Sequence, residues 1–491
     1  MRGKILALLL RSAWPRPSID RLLRAAMLDD SNAAAAAWHE FEASADFDHL
    51  TAGEMRLIAF ASRRLRALAP ESPMRARIGG IERANWSQSQ MVIGEAGGGL
   101  RVLAAASIDM LVIKGAGRLA AGGPTARGRV VNDVDVVVRP DDLKRAFDLL
   151  TADGWLPAES GTAVYHAGHL AGAVGINLVR GRFGNLDLHR TAFHPPYESA
   201  AEDAAIWDRS ASGAIAYTPV RVPSATDAVA IAIAHGSLDA HKSSDWLVDI
   251  AVAIDSGVDW VLLQEIIERR RLHAAAATAL GYARERLERP VPESVIVSLE
   301  KKAARRPVSL LAALAETRPK TDRIGFFWLA RAVAKQSRLM RTYRRRFSGD
   351  RRRVVLPSLL TGGSVTASGA KVLEEPLVLP DRKPGEAWRG SLDITVSVDL
   401  PPASRRIDFE LNSHGRHHAR LRAIVLNRGR RERLLRFNVP VELAPDDTAP
   451  VLVAAASRIF NANAPQALVE RYAATPFRVV RLRTRRLLPK T

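Results

Sequence analysis

Apolar positions recur at helical spacing through the first 95 residues. In "TAGEMRLIAFASRRLRAL", Thr51 reads as a capping residue and Met55, Leu57, Ile58 and Ala61 as the apolar stripe. A second helix is expected over roughly Ser87 to Ala106. The period changes from about Ile108 to His194. There "MLVIKG" is a short apolar run stopped by Gly115, a buried strand, and "GAGRLAAGG" supplies one or two helical turns. "VVNDVDVVV" is the next strand. "RPDDLKRAFDLLTADGW" is a helix with Leu143, Ala146, Phe147 and Leu150 on one stripe and Gly154 at its end. "INLVRGRFGNLDLHR" alternates twice around a Gly-containing turn and predicts a β-hairpin. The order strand, helix, strand, helix, hairpin gives a small α/β sheet.

From about Pro195 to Arg346 the pattern reads as helices again. "RRRFSGDRRR" and "LTGGSVTASGA" then form a basic and a Gly/Ser/Thr-rich stretch, the best linker in the chain. Beyond about Glu375, "SLDITVSVDL", "RIDFELN", "HARLRAIVLN" and "RLLRFNVPVEL" alternate with period two, as in a sandwich or jelly roll. The expected organisation is a helical region over 1–95, an α/β core over 96–195, a helical domain over 196–347, a linker over 348–375 and a β-sandwich over 376–491.

Composition narrows the function. With 491 residues the chain exceeds one ordinary core, and its net charge of +20 favours polyanions: nucleic acid, nucleotide phosphates or an anionic membrane. The chain's general Ala/Arg richness weakens that clue. No cysteine is present, which excludes disulfides, thiolate metal sites and a Cys nucleophile. The apolar run Ile5–Leu10 is shorter than a signal-peptide core, and no stretch approaches the roughly 18 apolar residues of a spanning helix. A cytoplasmic protein is expected.

The chemistry gathers around "NDVDVVV". Strand alternation puts Asp133 and Asp135 on one face, where two carboxylates repel unless a cation lies between them. Mg²⁺ is commonly held by one or two carboxylates plus substrate phosphates. A two-metal site needs a third carboxylate, and Asp187 in "NLDLHR" supplies one, with His189 on its own face. Gly115, Ala116 and Gly117 follow a strand and open a helix, so their amides suit an anion, flanked by Lys114, Arg118 and Arg129. Each feature also has a plain reading: the aspartates as a solvated strand end, His189 as a satisfied core histidine, Lys114 and Arg129 as counter-charges. His235, His241, Asp239 and Asp245 read as helix-cap residues. Trp246, Asp249 and Trp260 read as packing and capping residues, and "IGFFWLA" with the following arginines as core and a solvated tail.

The ordered set "VIKGAG", Arg129, "NDVDVVV", "DLKRAFDLLTADGW" and "LDLH", with His235, Trp246, Asp249 and Asp259-Trp260 downstream, resembles the uncharacterised bacterial nucleotidyltransferases of the polymerase-β-like superfamily, over residues 35 to 300. The resemblance implies a compact mixed sheet, NTP-Mg²⁺ as substrate and transfer of a nucleoside monophosphate to an acceptor: small molecule, sugar, protein or RNA. It implies Asp133 and Asp135 as ligands of two Mg²⁺ ions, Asp187 as metal ligand and acceptor base, and Lys114, Gly115, Ala116, Gly117, Arg129 and His189 around the nucleotide. Ala116 stands where the superfamily has Ser, and Arg190 where the family often has Trp. A catalytically weak scaffold recruiting a complex or a polyanion through its β domain and basic surface is the rival reading. The C-terminal "FNVPVEL" and "ASRIFNANAP" loosely resemble the β-sandwiches attached to some glycosyltransferases, which implies a carbohydrate or protein contact.

Overall fold

The structure is a computed structural model. It describes residues 10–305 except 12, 124–125, 127, 159–165, 168–169, 171–174, 194–196, 198 and 240–243, and then 374–486 except 400–405, 414–415, 425–431 and 456–476. His241, the linker at 348–373, "IGFFWLA" and "ASRIFNANAP" therefore lie outside the described residues. Those up to Asp142 and from Phe183 to Arg305 make one compact unit, and those of 143–182 and from Glu374 onward make a second.

The first unit opens with four helices: α1 (Pro17–Met27), α2 (Ser31–Ser44), α3 (Ala52–Leu68) and α4 (Arg75–Ala105). Thr51 caps α3 through a complete capping box with Glu54, as its sequence predicts. Leu57, Ile58 and Ala61 enter the core, whereas Met55 stays exposed. α4 starts twelve residues before the expected Ser87. Next come β1 (Leu111–Ile113), α5 (Lys114–Ala121) and β2 (Val134–Val137). The helix expected after β2 is a 3₁₀ turn at Pro140–Asp142 followed by α6 (Leu143–Ala152); it buries Leu143, Ala146, Phe147 and Leu150. Gly154 follows at φ +89°, which a side chain would disfavour. Strands β3 (Leu156–Pro157), β4 (Gly175–Arg180) and β5 (Gly184–His189) complete this stretch, the last two being the expected hairpin strands.

The helical reading of 195–346 needs a correction. After α7 (Ala200–Asp208) the chain makes two strands, β6 (Ala211–Ile215) and β7 (Thr218–Val222), before α8 (Ala225–Asp239), α9 (Asp245–Asp255), α10 (Trp260–Arg270), α11 (His273–Leu287) and α12 (Glu293–Ala304). β6 is "ASGAI", poor in β-branched residues, and its turn carries Ala216 and Tyr217 at φ +48° and +61° instead of Asn-Gly. Packing holds that turn: a Cβ on Gly97 of α4 would meet the Ala216 Cβ at 2.5 Å. The sheet is consequently larger than expected, seven strands in the order β3-β4-β5-β2-β1-β7-β6, with β1 antiparallel to β2 and parallel to β7, and β2 parallel to β5.

In the second unit, β8 (Glu374–Pro376), β9 (Trp388–Asp399), β10 (Arg406–Ser413), β11 (Arg416–Ile424), β12 (Glu432–Leu443), β13 (Val451–Ala455) and β14 (Phe477–Arg486) form two sheets, β11-β10-β13-β8 and β12-β9-β14. Alternation works as the sequence predicts: Leu392, Ile394, Val396 and Val398 of β9 share one hydrophobic cluster with Phe409 and Leu411 of β10.

Candidate active site

Three neighbouring strands set the centre. Ile113 at the end of β1 lies opposite Asp135 on β2, and Asp135 is in register with Asp187 on β5. The chain leaves β1 through Lys114, held at φ +56°, and enters α5. Lys114 Nζ comes back to Asp135 Oδ1 at 2.6 Å. His189, two residues beyond Asp187 and so on its face, sets Nε2 3.2 Å from Asp135 Oδ1 and 3.0 Å from Asp187 Oδ2. Donor atoms of Asp135, Asp187 and His189 all lie within 4.8 Å of one another.

Two internal cations thus answer the repulsion among the carboxylates. Burial opposes charge on Lys114, yet Asp135, Asp187 and Asp133 hold its pKa above the ordinary value. Burial likewise works against an imidazolium, but Asp187 and Asp135 push His189 up to about 9. The same partners overcome burial to hold Asp135 and Asp187 below the carboxylate range. Asp133 differs. It precedes β2, is half-buried and accepts no hydrogen bond among the described residues; burial and neighbouring Asp135 push it up to about 6.

A cavity of about 580 Å³ opens beside this centre. Lys114, Gly115, Ala116, Gly117, Arg129, Asp133 and Asp135 line it, so seven of the nine sequence-predicted site residues share one wall, with Asp187 and His189 tied to it through Asp135. The first-turn amides of α5 lack intrahelical acceptors. Small residues are required there: a Cβ on Gly117 would lie 2.5 Å from the Val112 carbonyl oxygen, and one on Gly115 2.9 Å from the Arg129 guanidinium. The Ala116 methyl is itself buried.

Arg129 does not stand free toward the cavity. Its Nε and Nη2 form a fork on Asp249 at 2.9 and 2.7 Å, while Nη1 donates to Asp245 at 2.5 Å and to the Val130 carbonyl at 2.7 Å. Arg118 Nη1 reaches Asp249 at 2.8 Å, and Arg56 Nε reaches Asp245 at 2.9 Å. Asp245 is therefore an ion-pair acceptor rather than a plain helix cap. His235 is occupied with the Ala192 carbonyl at 2.9 Å.

A model for a family described as an uncharacterised nucleotidyltransferase matches residues 45–288, a span that holds every group just described. Residues 45–288 belong to this nucleotidyltransferase family. No curated protein and no solved structure matches the chain. Within the nucleotidyltransferase segment, sequence reasoning left out Arg56, Asp245 and Asp249. One signal was available: Asp245 and Asp249 are four apart on the apolar helix "DWLVDIAVAID", so two like charges share a face and need cations, as the D-x-D pair does. Among the described residues, no helix is long and apolar enough to cross a membrane.

Carboxylates are hard oxygen donors suited to a divalent cation, and a neutral imidazole can add a nitrogen donor. Among the described residues, the set whose donor atoms lie close enough to share one ion is Asp135, Asp187 and His189, two carboxylate oxygens and one imidazole nitrogen.

Proposed function

We propose that the nucleotidyltransferase segment is an active enzyme that moves a nucleoside monophosphate from an NTP to an acceptor hydroxyl. The observation that carries this reading is the in-register Asp135–Asp187 pair beside the first turn of α5, with Asp135 on the wall of a cavity large enough for a nucleotide. Bound divalent ions, Mg²⁺ in this proposal, supply charge neutralisation of the triphosphate. Asp133 and Asp135 hold them at the nucleotide. Asp187 takes the acceptor proton as the acceptor oxygen bonds to the α-phosphorus and the bond to pyrophosphate breaks. The amides of Gly115, Ala116 and Gly117 receive the phosphates, with Lys114 beside them. Arg129 acts at one remove: its fork on Asp249 fixes the loop that carries Asp133. The polymerase-β-like fold, a cytoplasmic setting and a sandwich arrangement of the two C-terminal sheets belong to the same reading.

A non-catalytic scaffold draws support from one observation, the pairing of Asp135 with both Lys114 and His189. Calorimetric titration of each NTP with MgCl₂ into the full chain and into Asp133→Asn separates the two. Asp133 accepts no hydrogen bond among the described residues, so the variant leaves the buried pairs intact. Mg²⁺-dependent binding lost in Asp133→Asn supports the enzyme; no binding to the wild type refutes it in favour of the scaffold.

A further inference from the structure

The wall of the cavity beside the carboxylate centre is of two kinds. The charged part has been described. The apolar part comes from Ala225, Ala228 and Ala232 of α8 and from Val252, Ala253 and Trp246 of α9. Positions i, i+3 and i+7 share one face of a helix, so α8 turns its three alanines to the same side, as α9 does Trp246 and Ala253. Alanine at three of the four apolar positions that α8 gives to the cavity keeps this space open; Ile231 is the fourth.

A Cβ at Gly236 would overlap the Trp246 ring, so the indole lies directly against the α8 backbone, and its nitrogen is buried. The polar side chains of this part are already engaged. His235 Nε2 meets the Ala192 carbonyl at 2.9 Å, and the Ser256 hydroxyl donates to the Val252 carbonyl at 2.8 Å. On α9 itself, Asp245 and Asp249 serve Arg56, Arg118 and Arg129. Such a wall can bury a flat ring, but it has no side chain placed to read the edge of that ring by hydrogen bonds.

Resting on the nucleotidyl transfer proposed above, we propose that this apolar part seats the nucleobase against Trp246 by stacking and burial alone, so that all four NTPs are taken and purines bind ahead of pyrimidines. Asp133, Asp135 and the turn from Gly115 to Gly117, which nucleotidyl transfer assigns to the nucleotide, line the same cavity. Asp187, which it assigns to the acceptor, does not line it. The occupant is therefore the nucleotide and not the acceptor. Every base has a π-face, so stacking tolerates any of them, and a two-ring purine buries more apolar area than a one-ring pyrimidine. Reading a base by hydrogen bonds would instead favour one NTP by about a hundredfold or more.

The test is calorimetric titration of ATP, GTP, CTP, UTP and inorganic tripolyphosphate, each with MgCl₂, into the full chain and into Trp246→Leu and Trp246→Phe. In the wild type ATP and GTP should agree within about threefold, bind more tightly than CTP and UTP, and exceed tripolyphosphate by about tenfold or more. Trp246→Leu should weaken ATP by about tenfold and leave tripolyphosphate unchanged, with Trp246→Phe between. The wild-type ranking needs no variant: one NTP preferred by about a hundredfold overturns the proposal. Tripolyphosphate binding equal to ATP also overturns it, gives the apolar part to the acceptor and leaves nucleotidyl transfer intact. Equal weakening of ATP and tripolyphosphate in both variants, or none in either, overturns it too. A wild type that binds neither ATP nor tripolyphosphate overturns nucleotidyl transfer itself.

Discussion

Asp249→Asn tests whether the buried ion network organises the cavity. Asp249 accepts from Arg129 Nε, Arg129 Nη2 and Arg118 Nη1 at 2.9, 2.7 and 2.8 Å. The pair is shielded, with Arg129 7% and Asp249 13% exposed. Wild type sets three guanidinium groups against two carboxylates; the variant leaves Asp245 alone to Arg56, Arg118 and Arg129. The Asn amide also turns a donor toward Arg129 Nη2. Removing one partner of a buried pair costs about 3–5 kcal/mol. For a unit of this size that is a fall in Tm of roughly 6–15 °C. Differential scanning calorimetry gives the value, and hydrogen exchange should show faster exchange in α5 and α9. The pH dependence sharpens the test. Burial pushes the Asp249 pKa up, but Arg129 and Arg118 outweigh it and hold the group below the ordinary carboxylate value. Its contribution is therefore complete above the unfolded pKa of about 3.9 and lost as pH falls through the folded value. The gap between wild type and variant should hold from about pH 8 to about pH 5 and close in stronger acid. A gap under about 1 °C at neutral pH, or one that widens in acid, would refute the reasoning.

Further outcomes follow from single contacts. Gly117→Ala drives a Cβ toward the Val112 carbonyl, backbone that cannot swing aside, and should cost about 1–3 kcal/mol in thermal unfolding. Thr51→Ala removes the side-chain half of a capping box on an exposed helix end, leaving the Thr51 backbone N–H on Glu54, and a loss of about 1 kcal/mol is expected from urea midpoints. Chelation with EDTA should leave Tm unchanged, because Lys114 and His189 already compensate Asp135; a large drop would show that a resident ion holds the fold together.

The local part of this protein was legible in its sequence. The Thr51 cap, the apolar stripe of α6, the Gly154 stop and the alternation around Asp187 each depend on residues within a few positions of one another. Short range also explains why "VIKGAG" and "NDVDVVV" located the wall of the cavity before any coordinates. Hidden elements had their determinants elsewhere: β6 lacks β-branched residues apart from Ile215, the turn to β7 lacks an Asn-Gly signal, and that turn rests against Gly97, more than a hundred positions upstream.

What the sequence determined by itself was the question at Asp133 and Asp135, two carboxylates that demand positive charge. Which groups answer it was decided by tertiary structure. Register across β1, β2 and β5 delivers Lys114 and His189 to Asp135, and folding of α9 onto α5 gives Arg129 and Arg118 to Asp249, 120 and 131 positions away in the chain. Periodicity reports which face a side chain takes on its own element. It carries no information about which distant charge will meet it, because that pairing is set by the burial of both groups against water once the elements pack.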